Sequence, residues 1–281
     1  LSPPLQLDSP VKNITLCITS LQYYLFVYII KIDVIFQESD TMRWGMVVDL
    51  TKCVRCFGCV AACRIEHYLP MGISWPKLVA METGGDHPTV STYSVRCNQC
   101  KNAPCVEVCP TAATTRRADG IVTVDQDKCV GCRYCVIACP YQNRTFLSKD
   151  KDKGFFPGQG QTPFEKIGKK LYRHQVGTTE KCNFCVERID AGLAKGLTPG
   201  KDREATPACV NTCVARALTF GDLDDPNSEV SRLIKDKQGF ILHPEYETEP
   251  SVFFIDGKIG QVDNDELPET EKENTPETVG A

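Results

Sequence analysis

Apolar and polar positions alternate over only a few short stretches of this chain. Met46–Leu50, Ile121–Asp125, Leu218–Gly221 and Ser251–Asp256 read as strands, being short apolar runs bounded by turn formers. The segments between them are rich in Gly and Pro and leave room for helices of only a few turns. The pattern predicts an α+β chain that has little regular structure to spend on a conventional core.

Several stretches fall outside that pattern. Residues 149–180, with the run Lys149, Asp150, Lys151, Asp152, Lys153, Gly154, read as a long loop. Ala194 to Thr206 reads as a second insertion. Residues 1–41 hold an uncharged apolar run from Ile14 to Ile30, at the lower edge of what spans a bilayer. That segment is either a membrane anchor or upstream sequence translated from a start set too early. The second is expected, with Met42, the first methionine, opening the polypeptide and Cys17 outside the functional set. Residues 257–281 carry Asp263, Asp265, Glu266, Glu269, Glu271, Glu273 and Glu277 against Lys272, and read as a disordered acidic tail.

Composition narrows the chemistry. The 281 residues are 42% hydrophobic with a net charge of −4, so no basic face advertises a nucleic-acid partner. The 17 cysteines are the informative number. Disulfide scaffolds are short secreted chains, and an odd total would leave one thiol over, so disulfides are set aside. Zinc and iron–sulfur clusters remain.

Spacing decides between them. The first group is Cys53, Cys56, Cys59 and Cys63, spaced C-x2-C-x2-C-x3-C. The second is Cys97, Cys100, Cys105 and Cys109, followed by Pro110. The third, Cys129, Cys132, Cys135 and Cys139, repeats the spacing of the first and is followed by Pro140. The fourth has Cys182 and Cys185, then Cys209 and Cys213 beyond the insertion. Zinc asks for two C-x2-C pairs separated by a long loop, which the fourth group alone could satisfy. In the first and third groups the third cysteine falls too close to the second for that. A [4Fe–4S] cubane suits them: three thiolates in one loop wrap a corner, and the fourth, a helical turn on, reaches a neighbouring cluster.

Four such groups predict four [4Fe–4S] clusters and an electron carrier. Groups two and three, bridged by the strand at Ile121–Asp125, have the layout of a two-cluster ferredoxin, which leaves groups one and four to pair across the sequence. On that layout Cys97, Cys100, Cys105 and Cys139 hold one cluster, and Cys129, Cys132, Cys135 and Cys109 the next. Cys53, Cys56, Cys59 and Cys213 hold a third, and Cys182, Cys185, Cys209 and Cys63 the last. The expected architecture is two ferredoxin-like dicluster modules in one four-cluster domain over 42–256. The inner module spans 95–146, and the outer joins 42–94 to 147–256.

Each group also begins directly after a cation, Lys52, Arg96, Lys128 or Lys181. Such a charge would raise a cluster potential, or it could simply solvate the surface; both readings stand. The histidines, His67, His87, His174 and His243, lack ligand spacing and read as surface or packing residues. No P-loop, dinucleotide fingerprint or nucleophile elbow is present. No residue is assigned a catalytic role, so substrate chemistry is expected in another protein.

The stretches MRWGMVVDLTKCVRCFGCVAAC (42–63), CNQCKNAPCVEVCPTAA (97–113), DKCVGCRYCVIACPY (127–141) and KCNFCVERIDAGL (181–193) carry a resemblance, as do TPACVNTCVARALTFGDLDDPNS (206–228) and EPSVFFID (249–256). Together they resemble the electron-transfer subunit of molybdopterin oxidoreductases of the dimethyl sulfoxide reductase family, with polysulfide, thiosulfate, tetrathionate and arsenate reductases the nearest in kind. The resemblance implies a molybdenum or tungsten pterin catalytic subunit and an integral membrane subunit of the polysulfide-reductase type, exchanging electrons with quinone. Nitrate reductase relatives replace one cysteine with Trp and hold a three-iron cluster there; no such replacement occurs here, so four [4Fe–4S] clusters are expected. It implies membrane association through partners, at the extracytoplasmic face by riding with a partner that carries the export signal, or in the cytoplasm. A soluble polyferredoxin serving a hydrogenase is the competing reading, which neighbouring genes would separate. Val214, where Pro often follows the last cysteine, the two insertions and the N-terminal extension depart from the family without removing a ligand.

Overall fold

The computed structural model describes residues 42–84, 89–149, 154–156, 158 and 160–256. The expectations for 1–41, 257–281 and His87 lie outside the described residues. The chain is α+β, as expected, and all four expected strands form. They are Trp44–Asp49 (β1), Val122–Val124 (β5), Leu218–Asp222 (β8) and Val252–Ile255 (β9). The others are Lys77–Thr83 (β2), Thr89–Val95 (β3), Thr114–Arg116 (β4), Thr145–Phe146 (β6) and Thr179–Glu180 (β7).

The principal sheet has the order β8-β1-β9, with β1 antiparallel to β8 and parallel to β9. All six residues of β1 are buried, because its two faces pack on different cores. Trp44, Met46 and Val48 point into the large core with Leu218, Phe220, Val252 and Phe254. Val47 points the other way, against Ile255 and Val230. This is the period of two that a strand imposes. Val230 sits on the helix Glu229–Asp236, which Ser228 caps by accepting from the Ser231 N–H at 3.1 Å. Gly45 is required where that layer closes, since a Cβ there would lie 2.5 Å from Leu223.

Three two-stranded pairs surround this frame: β2 with β3, β4 with β5, and β6 with β7. The bridge between groups two and three is therefore a hairpin and not a lone strand, with Thr114 opposite Val124.

The expected long loop at 149–180 is corrected. It contains the helix Pro163–Leu171 and the strand β7. Thr162 caps the helix by accepting from the Glu165 N–H at 3.2 Å, and the Glu165 carboxylate accepts from the Thr162 N–H at 2.7 Å. That reciprocal pair is a capping box with Pro at the first helical position. The insertion Ala194–Thr206 folds back on the helix Val186–Leu193, where a Cβ on Gly192 would lie 2.3 Å from that of Ala205. Among the described residues no helix is long and apolar enough to cross a membrane.

Candidate metal centres

Each cysteine group is built from the same local parts. The residue before the second cysteine, Arg55, Gln99, Gly131 or Phe184, has a left-handed backbone in all four groups, with φ of 54°, 48°, 68° and 58°. That conformation is costly for non-glycine residues and persists only where the surroundings enforce it. Its fourfold recurrence turns each loop sharply between its first two thiols. Of these four positions only Gly131 demands glycine, because a Cβ would meet the Gly177 carbonyl oxygen at 2.1 Å. Each third cysteine lies on a short helix: Cys59 on Gly58–Glu66, Cys105 on Pro104–Glu107, Cys135 on Tyr134–Ile137 and Cys209 on Ala208–Asn211. Group four, whose spacing alone suited zinc, is built like the rest.

The strands join the groups in two matching ways. The Asp125 N–H donates to the Ala113 carbonyl at 2.7 Å, and the Asp49 N–H donates to the Ala217 carbonyl at 2.7 Å. Each aspartate stands four residues before the first cysteine of groups three and one, and each alanine four residues after the last cysteine of groups two and four. The residues preceding the alanines, Ala112 and Arg216, both have left-handed φ, at 50° and 49°. The last thiols accept in turn from the backbone, Cys109 Sγ from Thr114 N–H at 3.3 Å and Cys213 Sγ from Ala217 N–H at 3.2 Å.

Electrostatics reveals which thiols are neighbours. Burial pushes the Cys63 thiol far up, and Cys182, Cys185 and Cys209 push it further, against the pull of Arg96. Burial likewise pushes Cys100 up to about 12, with Cys97, Cys105 and Cys139 adding to it. Those four also line one cavity, with Pro140, Tyr141 and Arg144 in its wall. Cys109 goes the other way: its slight burial raises it, but the Thr114 and Thr111 N–H groups more than reverse that. Thiols crowded in dry surroundings resist ionising together unless cations compensate, and thiolate is the form that binds metal. Among the described residues no three His, Cys, Asp or Glu side chains converge tightly enough for a single ion. The Cys97, Cys100, Cys105 and Cys139 thiols stand instead around a space, the arrangement a multi-iron cube fits and a lone tetrahedral ion does not.

The four cations that precede the groups separate into two kinds. Lys52 and Lys128 are at the surface, paired with Asp49 at 3.4 Å and Asp125 at 3.0 Å. Arg96 and Lys181 are buried among the cysteines. Sequence reasoning missed a third buried cation, Arg144, which follows the third group in QNRT and carries no spacing signal. His67 is the packing residue expected, wedged between Trp75 and Tyr172, but its Nε2 also lies 3.3 Å from Cys185 Sγ. Burial holds its ring neutral, down to about 3. His174 bonds to Glu180 and to the His67 carbonyl oxygen, each at 2.7 Å, and the exposed His243 pairs with Glu245 at 2.8 Å.

Comparison with known proteins agrees with this layout. Residues 89–156 match the 4Fe-4S dicluster domain family. The chain is 37% identical over 238 residues to the iron–sulfur subunit of arsenate respiratory reductase from Shewanella sp., covering 76% of this chain and 96% of that one. It is 37% identical over 224 residues to the protein NrfC of Escherichia coli, covering 79% and 84%. It is 33% identical over 249 residues to iron–sulfur subunit 1 of the Hdr-like menaquinol oxidoreductase of Archaeoglobus fulgidus, covering 80% and 86%. The chain belongs to the iron–sulfur subunits of the molybdopterin oxidoreductase family. Like other subunits of this family it is an electron carrier with [4Fe–4S] clusters, working in a reductase complex whose catalysis lies in another subunit. The resemblance read from the cysteine stretches is thus borne out. In this family member the matched region holds the second and third cysteine groups, with the hairpin of β4 and β5 between them.

Proposed function

We propose that this subunit carries four [4Fe–4S] clusters in a row and relays electrons between a molybdopterin catalytic subunit and a quinone-linked membrane subunit. The observation that carries the pairing is the repeated Asp–Ala contact. It ties group two to group three, and group four to group one, through the same register at the same 2.7 Å. One dicluster module is therefore contiguous and the other is split around it. The sixteen ligands are those expected from spacing, with Cys109 crossing to group three, Cys139 to group two, Cys63 to group four and Cys213 to group one.

Neighbouring thiols support an order for the row. Cys59 acts on Cys209, linking the cluster of Cys53, Cys56, Cys59 and Cys213 to that of Cys182, Cys185, Cys209 and Cys63. Cys97 acts on Cys182, linking the second to the cluster of Cys97, Cys100, Cys105 and Cys139. Arg144 is influenced by Cys105, Cys135 and Cys97 together, which supports an order with the cluster of Cys129, Cys132, Cys135 and Cys109 last. When bound, each cluster takes up and releases one electron. The chain holds the thiolates at fixed separations, shields the inner two sets from water and offers the outer two to partners. Cys56 and Cys132, one in each terminal set, are its two exposed ligand thiols among the described residues. Apolar side chains stand free around them: Val54, Phe57 and Val214 near the first, Val130, Tyr134 and Ile137 near the second. Val214 and Ile137 are each 81% exposed, more than a lone surface residue requires and suited to contact with another subunit.

The membrane side of the relay rests on kinship with a protein named for menaquinol. An extracytoplasmic position, reached with an exported partner, fits the same reading. The test is anaerobic purification of the complex with metal analysis and EPR. About sixteen irons per chain is the expected content for four cubanes, together with a co-purifying pterin subunit and a membrane subunit. A colourless preparation with zinc in place of iron overturns the proposal.

A further inference from the structure

We infer that Arg96, Lys181 and Arg144 form a series of buried countercharges, one in each of the three gaps between successive clusters, and that each raises the potentials of the two clusters beside it. The inference rests on the four-cluster reading and its order.

Arg96 lies in the first gap. It is 1% exposed, and its Nη1 is 3.1 Å from Cys209 Sγ. Its Nη2 donates to Ser94 Oγ, which lies 3.5 Å from Cys59 Sγ. One guanidinium thus reaches a ligand of each flanking cluster. Burial works against its charge, but Cys209, Cys182, Cys59 and Cys63 favour it more strongly.

Lys181 lies in the second gap. Its Nζ donates to the Cys182 carbonyl at 3.0 Å, to the Val122 carbonyl, and to Gln99 Oε1 at 3.5 Å. Gln99 locks that geometry, donating to the Cys182 carbonyl at 2.7 Å and accepting from the Val122 N–H at 2.8 Å. Val122, whose carbonyl accepts from the ammonium, lines the cavity of Cys97, Cys100, Cys105 and Cys139, the ligands of the next cluster.

Arg144 lies in the third gap. It lines the cavity of Cys97, Cys100, Cys105 and Cys139 and donates at 3.2 Å to Oγ1 of Thr114, whose own N–H donates to Cys109 Sγ at 3.3 Å, so it reaches ligands of both inner-module clusters. Its Nε and Nη2 are buried without a hydrogen-bond partner. Asn143, the residue before it, donates to the Arg96 carbonyl at 2.6 Å, so the first and third cations share one backbone linkage.

None of the three forms an ion pair with a carboxylate among the described residues. An unpaired charge in a dry interior is heavily penalised. The anions that compensate these three are therefore the clusters, each carrying about two negative charges when oxidised and one more when reduced. A cation between two clusters favours the electron on either. Its attraction offsets part of the cost of placing an electron beside an already reduced neighbour. Lys52 and Lys128, paired at the surface, have no such role.

The test is an EPR-monitored potentiometric titration of the anaerobically purified full chain and its variants, with iron content measured on each. Arg144→Gln is expected to lower the reduced-to-oxidised ratio of the two inner-module clusters at least tenfold at fixed potential, which is 59 mV for one electron. The cluster of Cys53, Cys56, Cys59 and Cys213 is expected to stay in place. Arg96→Gln should shift the two outer-module clusters and spare that of Cys129. Lys181→Met should move the middle two, and Lys128→Ala none. Arg96→Lys and Arg144→Lys should restore most of each shift. Uniform shifts, or none in variants with full iron, overturn the inference. If a neutral variant loses iron, its charge-keeping counterpart decides: retention of iron supports the role of charge, and equal loss overturns it. A parent chain with fewer than four clusters would instead defeat the four-cluster reading before any variant is compared.

Discussion

The Nε2 of His67 lies 3.3 Å from Cys185 Sγ, and the ring is 1% exposed between Trp75 and Tyr172. A neutral imidazole with that geometry donates its single N–H to the sulfur, leaving Nδ1 bare in apolar surroundings. Donation to a ligand sulfur favours the reduced cluster. His67→Phe is expected to lower the potential of the cluster held by Cys185 by about 50 mV, the scale of one such bond. A redox titration in which that cluster alone moves would bear this out.

The proposed crossing of ligands gives a second expectation. After burial, the influences that push the Cys63 thiol up most come from Cys182, Cys185 and Cys209, three thiols of group four. Cys63→Ser is expected to convert or abolish the EPR signal of the group-four cluster, while Cys213→Ser does so for the group-one cluster. Signals lost in the opposite assignment would break the nested pairing.

Asp49 closes the loop between β1 and the first cysteines. Its Oδ1 accepts from the Thr51 N–H at 3.1 Å, and Oδ2 pairs with Lys237 at 3.2 Å. Burial raises its pKa, but Thr51, Lys237 and Lys52 together bring it below its ordinary 3.8. A carboxylate with a depressed folded pKa stabilises the native state above its unfolded pKa, and that contribution fades as pH falls through the folded value. Asp49→Asn is expected to cost about 1–2 kcal/mol at neutral pH. In thermal unfolding from pH 7 to pH 3 the gap between variant and parent should close at the acid end.

Gly192 and Ala205 meet without space for another atom. Gly192→Val is expected to destabilise the protein by roughly 1–3 kcal/mol through overpacking. Proteolysis should then reach the 194–206 insertion first, while Gly84→Ala, with nothing within 4 Å and no left-handed backbone, leaves that pattern alone.

Thr162 holds the start of the helix Pro163–Leu171. Thr162→Ala is expected to cost about 1 kcal/mol. Hydrogen exchange should speed up across this helix, with cluster potentials unchanged.

That helix shows where reading the residues fell short. Thr162-Pro163-Phe164-Glu165 is a legible capping box with Pro at the first helical position, yet the surrounding Lys, Gly and Gln residues give a loop-like composition that hides it. The hairpin of β2 and β3 was hidden differently. Its outward residues include Val79, Met81 and Val90, so the alternation that marks a half-buried strand is blurred. Cysteine spacing and the four buried strands were legible because chemistry and burial act on neighbouring positions. The burial of cations was not. Arg96 and Lys128 occupy the same place before a cysteine group, but one is buried against Cys209 and the other is exposed and paired with Asp125. Only the packing of distant segments separates them, and Arg144 depends on it entirely.

The placement of β1 bears on how the chain matures as it is synthesised. Its two partners, Leu218–Asp222 and Val252–Ile255, emerge from the ribosome long after it does. On the proposed pairing, the contiguous module would be complete once the nascent chain has passed Arg144. The split module would leave Cys53, Cys56 and Cys59 short of a fourth ligand until Cys213 arrives. Delivery of iron to a growing chain would therefore fill the middle of the sequence first and its flanks last.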